Sequence, residues 1–78
     1  MNIFKKLSEI RKGESAGIES FNDDLMKLKL MEMGCIPGEM ITVDRFAPLG
    51  DPIAILVGEA TLSIRMDEAD NVVVRPVN

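Results

Sequence analysis

Few residues of this 78-residue chain have side chains that could carry out chemistry. General acid–base catalysis near neutral pH most often uses histidine, and the chain has none. A reactive cysteine needs a base or a cation beside it, whereas the single cysteine, Cys35, follows Gly34 and precedes Ile36 in a turn. We therefore interpret Cys35 as a small apolar filler, and we predict that the chain is not an enzyme.

Carboxylates are the other reactive groups, and they occur in short clusters. Asp23 and Asp24 precede an apolar periodic segment, where acids cap the first turn of a helix. A second cluster, formed by Asp67, Glu68 and Asp70, lies in a polar break between two strand-like runs. It could hold a metal ion weakly, but a turn of this composition is more often only hydrated. We therefore predict no catalytic pair and no metal site.

The elements that position these residues are five short β-strands and one helix. The helix is expected over residues 24–33, ending at Gly34 in the left-handed conformation. Pro37-Gly38 favours a type II turn, and Gly58-Glu59 a two-residue hairpin. Residues 67–71 allow one helical turn before the last strand. This order predicts a mainly β fold, a small barrel or curled sheet, with strands at 15–21, 40–46, 53–57, 61–65 and from Val72 to a closing Pro76.

Alternation within the strands predicts which side chains face the core. In the first strand we expect Ala16, Ile18 and Ser20 on one face and Phe21 on the other. In the second strand, Ile41 and Val43 point one way, and the opposite face carries Met40, Thr42, Asp44 and Phe46. Residues 1–10 have helix-like apolar spacing that could cover one end of the core, at Ile3, Phe4, Leu7 and Ile10.

The predicted helix has more apolar surface than one face requires. Met26, Leu30 and Met33 form one stripe, and Leu25, Leu28 and Met31 form a second. The second stripe indicates a protein-binding surface, since methionine adapts to an uneven partner. The alternative is that Ile3, Phe4, Leu7 and Ile10 cover it.

The segment A-P-L-G-D-P, residues 47–52, predicts a stiff corner between two strands. Pro48 and Pro52 fix the backbone and interrupt strand pairing, and Gly50 can take a positive φ. Leu49 is then held at the tip, so Pro48, Leu49 and Gly50 join the predicted binding surface, because rigid apolar groups lose little entropy on docking. The alternative is that Leu49 folds back on the end of the barrel.

Charge and composition exclude several partners. Thirteen acidic and nine basic residues give a net charge of -4, which repels nucleic acid and anionic membranes. The chain has no Trp or Tyr and only three Phe, so base-stacking platforms are missing. We expect one domain, residues 1–78, in the cytoplasm, because no signal peptide, no membrane-spanning run and no pair of cysteines is evident.

Motifs from residue 27 to 74 resemble the FeoA family of bacterial ferrous iron transport. They are Lys27, L-M-E-M-G at 30–34, P-G at 37–38, A-P-L-G-D-P at 47–52, L-S-I-R at 62–65 and E-A at 68–69. The resemblance implies an SH3-like β-barrel with a helix laid across it. It also implies a cytoplasmic accessory role beside the ferrous iron permease that carries a GTPase domain, FeoB, as a module that modulates transport or GTP hydrolysis.

An iron-related role raises the question of a metal site. Fe(II) is usually held by imidazole and carboxylate, a set that cannot be assembled without histidine, so we expect no bound cofactor. The same fold occurs as a C-terminal domain of iron-dependent repressors, which leaves a metal-binding or metal-responsive regulatory domain as the alternative. The chain carries no DNA-binding module ahead of the predicted barrel, so a repressor would require a fragment. A homo-oligomer is also left open by exposed strand edges and the surplus stripe.

Overall fold

The computed structural model describes residues 3–77, which form one six-stranded antiparallel sheet with two short helices. No helix within this range is long and apolar enough to cross a membrane. The five predicted strands and both helical segments are confirmed. The elements are β1 (Lys5–Lys6), a 3₁₀ turn (Leu7–Glu9), β2 (Ser15–Phe21), α1 (Asp24–Glu32), β3 (Met40–Phe46), β4 (Ile53–Val57), β5 (Ala60–Ile64), α2 (Met66–Ala69) and β6 (Val72–Pro76).

The strands follow the order β1-β6-β2-β3-β4-β5, so the sheet curls like a barrel but is not closed. Strands β2 to β5 pair with their sequence neighbours, and β6 returns to lie between β1 and β2. The registers set Lys5 opposite Val74, Ile18 opposite Val74, Ala16 opposite Ile41, Val43 opposite Ile55, and Ile55 opposite Leu62. Strands β1 and β5 form the two ends of the sheet.

The core is built from the inward-facing residues of the strands. Because successive strand side chains point to opposite faces, every second residue is buried. This holds for Ile41 and Val43 and for the three inward residues of β4. The fully buried strand residues are Ala16, Ile41, Val43, Ile53, Ile55, Ile64, Val72 and Val74.

Two β-bulges change the faces predicted for the ends of β2 and β3. The β2–β6 register shifts between Ile18 and Ser20, and the β3–β4 register shifts between Val43 and Arg45. An extra residue reverses the alternation beyond it. Ser20 is consequently exposed, while Phe21 and Phe46 pack against the core, so the predicted faces of these three residues are wrong.

Helix α1 begins and ends as predicted to within one residue. The Asp23 carboxylate accepts a hydrogen bond from the Met26 amide at 2.8 Å, which caps the N-terminus. At the other end Gly34 has a φ of 100°, a conformation that side chains with a Cβ avoid. Leu30 is fully buried, and Met26 and Met33 pack partly against the core, which confirms the first stripe as the core face.

The N-terminal segment is not the short helix that its spacing suggests. Of the predicted residues 1–10, Met1 and Asn2 lie outside the described range. The rest forms β1, a lysine pair with no strand-like pattern, and the 3₁₀ turn. The 3₁₀ turn packs against α2 and β6, and Leu7 and Ile10 are buried in the core, so the segment does cover one end of the core.

Anchoring of α1 through one side chain can be tested by truncation. We expect Leu30→Ala to lower the free energy of unfolding by about 2–5 kcal/mol, because it leaves a cavity in a fully packed site. Leu28→Ala on the same helix should change it by less than about 0.5 kcal/mol, because Leu28 is exposed. Urea denaturation of both variants measures the difference, and equal losses would contradict the assignment of faces.

Candidate functional site

The second stripe of α1 lies on the surface of the described domain. Leu25 is 79% exposed and Leu28 is 61% exposed, while Met31 is half-buried. The 3₁₀ turn and the residues around it pack against α2 and β6 instead of over this stripe. These exposures exclude the alternative that the N-terminal segment covers the leucines.

The corner at residues 47–52 is held by its own main-chain hydrogen bonds. The Gly50 amide donates to the Ala47 carbonyl at 2.7 Å, and the Ala47 amide donates to the Pro52 carbonyl at 2.9 Å. Gly50 has a φ of 89°, and the Asp51–Pro52 peptide bond is cis. Leu49 is 97% exposed, so it does not fold back on the sheet.

One further hydrogen bond ties the corner to α2. The Asp51 carboxylate accepts from the Met66 amide at 3.1 Å, at the first residue of α2. The carboxylate thus satisfies one of the amides that a helix start leaves without a partner. The corner is fixed at both its base and its side, which supports rigid display of Leu49.

A groove of about 530 Å³ separates the helix from the corner. One wall comes from α1 through Lys29 and Met33, and the opposite wall from the corner through Asp51 and Pro52. The remaining lining residues are Ser63, Arg65 and Glu68. Helix α1 and the corner therefore flank one concave surface, which the sequence pattern alone does not predict, and Leu25, Leu28 and Met31 lie outside its lining.

Glu68 is the buried charged residue in this groove, with 7% exposure. One of its oxygens accepts from the Arg65 amide at 2.9 Å, and the other accepts from the Lys29 ammonium group. The hydrogen bond from Lys29, and then that from Arg65, hold the pKa of the Glu68 carboxyl below its usual range against the opposing effect of burial. Glu68 is thus an ion-pair partner that links α2 to α1.

The carboxylates of Asp67, Glu68 and Asp70, which the sequence places in one short segment, are not gathered into a metal site. Glu68 is engaged by Lys29, and Asp70 accepts a hydrogen bond from the Ser8 hydroxyl. Asp67 is exposed, and its carbonyl accepts from the Asn71 amide group. Within residues 3–77, no group of three or more cysteine, aspartate or glutamate side chains is arranged to hold a metal ion.

Cys35 lies in the hydrophobic core, with 2% exposure. Burial raises the pKa of its thiol, which disfavours the nucleophilic thiolate. This confirms the interpretation of Cys35 as a small apolar filler.

Several proteins that are named for ferrous iron transport resemble this chain. A model of the FeoA domain family matches residues 5–76. The chain is 30% identical over 74 residues to a fusion of Fe(2+) transport protein A and the Fe(2+) transporter FeoB in Porphyromonas gingivalis. The alignment covers 94% of this chain but only 9% of the fusion, so the chain spans about a tenth of that relative's length.

Two solved structures match the chain in sequence and in fold. The FeoA protein of Chlorobium tepidum is 35% identical with a TM-score of 0.87, over 95% of this chain and 71% of that one. The zinc complex of Stenotrophomonas maltophilia FeoA, a prokaryotic SH3 domain protein, is 34% identical with a TM-score of 0.76, over 87% of this chain and 86% of that one. The fold is therefore SH3-like.

A manganese-dependent transcriptional repressor shares the fold alone. It is 15% identical with a TM-score of 0.86, over 99% of this chain and 44% of the repressor.

The Glu68 ion pair predicts a pH-dependent stability. Because the folded pKa is lowered, ionised Glu68 stabilises the fold above the unfolded pKa of about 4.3, and this stabilisation is lost as the pH falls through the folded pKa. We expect Glu68→Gln to lower the free energy of unfolding by about 1–2 kcal/mol near neutral pH, since Lys29 is more than half exposed and partly screened. The difference should shrink below about pH 4.

Denaturant titrations at neutral and acid pH measure this difference. Glu32→Gln removes an exposed carboxylate on α1, the helix that carries Lys29, and is the matched control. It should leave the free energy of unfolding nearly unchanged at both pH values. A loss in Glu68→Gln that stays constant across pH would mean that the pair contributes only packing.

Proposed function

Since this chain belongs to the FeoA domain family, whose proteins serve Fe2+ transport, we propose that it binds the GTPase-bearing permease FeoB and modulates its transport or GTP hydrolysis. The binding surface would comprise Leu25, Leu28 and Met31 on α1 together with Pro48, Leu49 and Gly50 at the corner. The module would act on the cytoplasmic part of the permease, by contact and without catalysis.

The observation that carries this proposal is the exposure of large apolar groups on stiff elements. Leu49 is 97% exposed on a corner closed by its own hydrogen bonds, and Leu25 is 79% exposed on a capped helix. Exposed apolar patches on small domains mark interaction sites, and pre-ordered groups lose little entropy on binding. The groove between α1 and the corner offers a recess for a side chain of the partner, which is where interface energy concentrates.

The fused relative supports the choice of partner. In that protein a FeoA segment and a FeoB transporter are parts of one polypeptide. Tethering keeps two modules at high effective concentration, so even a weak contact between them is populated.

A metal-responsive role is the second candidate, because the related Stenotrophomonas maltophilia protein has been crystallised with zinc. In the described part of this chain, Glu68 and Asp70 already have hydrogen-bond partners. We therefore expect anaerobic Fe2+ titration by calorimetry to give no stoichiometric site tighter than about micromolar. A tighter site would favour the metal-responsive candidate.

Substitutions of the exposed leucines test the docking surface. We expect Leu49→Asp and Leu28→Asp each to weaken binding to the soluble GTPase domain of the organism's permease by about tenfold or more, because a charge would be desolvated at the interface. Retention of that domain on the immobilised variants, followed by calorimetry, measures the loss.

The matched control is Leu56→Asp, which introduces the same charge at an exposed leucine of β4 outside the groove. It should bind like the original chain. Equal recovery by all three variants would remove both the helix stripe and the corner from the interface.

A further inference from the structure

The two ends of the sheet differ in how they resist pairing with another chain. β1 has two residues, both lysine, and the Lys6 amide already donates to the Glu9 carboxylate at 2.8 Å. Short, charged edges of this kind are protected against strand addition. β5 has five residues, A-T-L-S-I, and none of them is charged. The unprotected end of the sheet is therefore β5.

The free main-chain groups of β5 can be located from its hairpin. Val57 and Ala60 close a two-residue loop, which makes them a hydrogen-bonded pair. Hydrogen-bonded and non-hydrogen-bonded pairs alternate along an antiparallel ladder, so the N–H and C=O groups of Thr61 and Ser63 point away from β4. Within residues 3–77, no other segment hydrogen-bonds to the main chain of these two residues.

We propose that β5 pairs antiparallel with β5 of a second copy of this chain, about a two-fold axis at Leu62. Such an axis stands perpendicular to the sheet, so residues that face each other must share a face. The register centred on the strand sets Thr61 opposite Ser63 of the second copy and Leu62 opposite its own equivalent. It gives four main-chain hydrogen bonds, two from each Thr61–Ser63 pair.

Charge complementarity selects this register. Glu59 and Arg65 lie one residue beyond the two ends of β5. The pairing sets Glu59 of one copy opposite Arg65 of the other, and the two-fold symmetry makes this contact twice. Both side chains are exposed in the described structure. A shift of two residues one way would set Glu59 against Asp67, and a shift the other way would set Arg65 against Val57. Of these three registers, only the centred one sets oppositely charged side chains across from each other.

The apolar side of the strand supports the same pairing. Leu62 faces the core side of β5 but is only half-buried, because the sheet ends there. In the pair, the two Leu62 side chains meet in a non-hydrogen-bonded position, where side chains approach most closely. The pairing uses neither Leu28 nor Leu49, although Ser63 and Arg65 also line the groove beside α1.

Reciprocal charge reversal tests the pairing. Analytical ultracentrifugation of the full chain should show a dimer whose dissociation constant rises about tenfold or more in Glu59→Arg and in Arg65→Glu, because each variant opposes like charges twice. An equal mixture of the two variants should restore a heterodimer, since each introduced charge then faces its opposite. Glu19→Arg, at an exposed residue of β2, is the control and should dimerise like the original chain.

Amide hydrogen exchange gives a second readout. We expect the Thr61 and Ser63 amides to be protected in the dimer and to exchange freely in the Glu59→Arg variant. If Arg65→Glu does not fold, the dissociation constant and the amide exchange rates of the Glu59→Arg variant test the pairing by themselves. A chain that remains monomeric at about millimolar concentration would overturn the proposal. A dimer whose dissociation constant is unchanged by Glu59→Arg would also overturn it, as would a folded mixture of the two variants that stays monomeric. Protection of the Thr61 and Ser63 amides that appears only with a foreign extended peptide would do the same.

Discussion

The Glu68 carboxylate is the electrostatic constraint on which the arrangement of the helices depends. Its two oxygens are divided between the Arg65 amide, at the start of α2, and the Lys29 ammonium group on α1. A buried carboxylate without such partners would be strongly unfavourable, so the two helices have to stay within reach of it. The groove between α1 and the corner is thus bounded by an ion pair, which holds only while Glu68 is ionised.

Local patterns in the sequence were sufficient for most of the fold. Alternation located β2 to β6, and the cap at Asp23 and the stop at Gly34 bounded α1, because these signals depend on neighbouring residues. The bulges that turn Phe21 and Phe46 inward arise from how two strands meet, which no single strand encodes. β1 was not predicted, because a pair of lysines has no strand pattern. It is a strand only through its pairing with β6.

The candidate site, like the fold, could be predicted from the sequence only in part. The leucine stripe of α1 and the tip of the corner follow from helical spacing and proline placement, and both are exposed. The groove between α1 and the corner required the fold, because Lys29 and Glu68 are 39 residues apart in the chain. Two carboxylates of the acidic cluster are likewise engaged by distant residues, Glu68 by Lys29 and Asp70 by Ser8, which is 62 residues away. The domain thus satisfies the buried charge of Glu68 internally and leaves Leu25, Leu28 and Leu49 exposed.

The corner at residues 47–52 has a consequence for chemical biology. Its six residues close on themselves through the Ala47 and Pro52 main chains, and Asp51 adds one hydrogen bond to α2. A synthetic macrocycle joined across Ala47 and Pro52 would reproduce the main-chain closure of the corner without the sheet. Such a ligand would present a leucine as the corner does, which makes this one loop a starting point for inhibitor design.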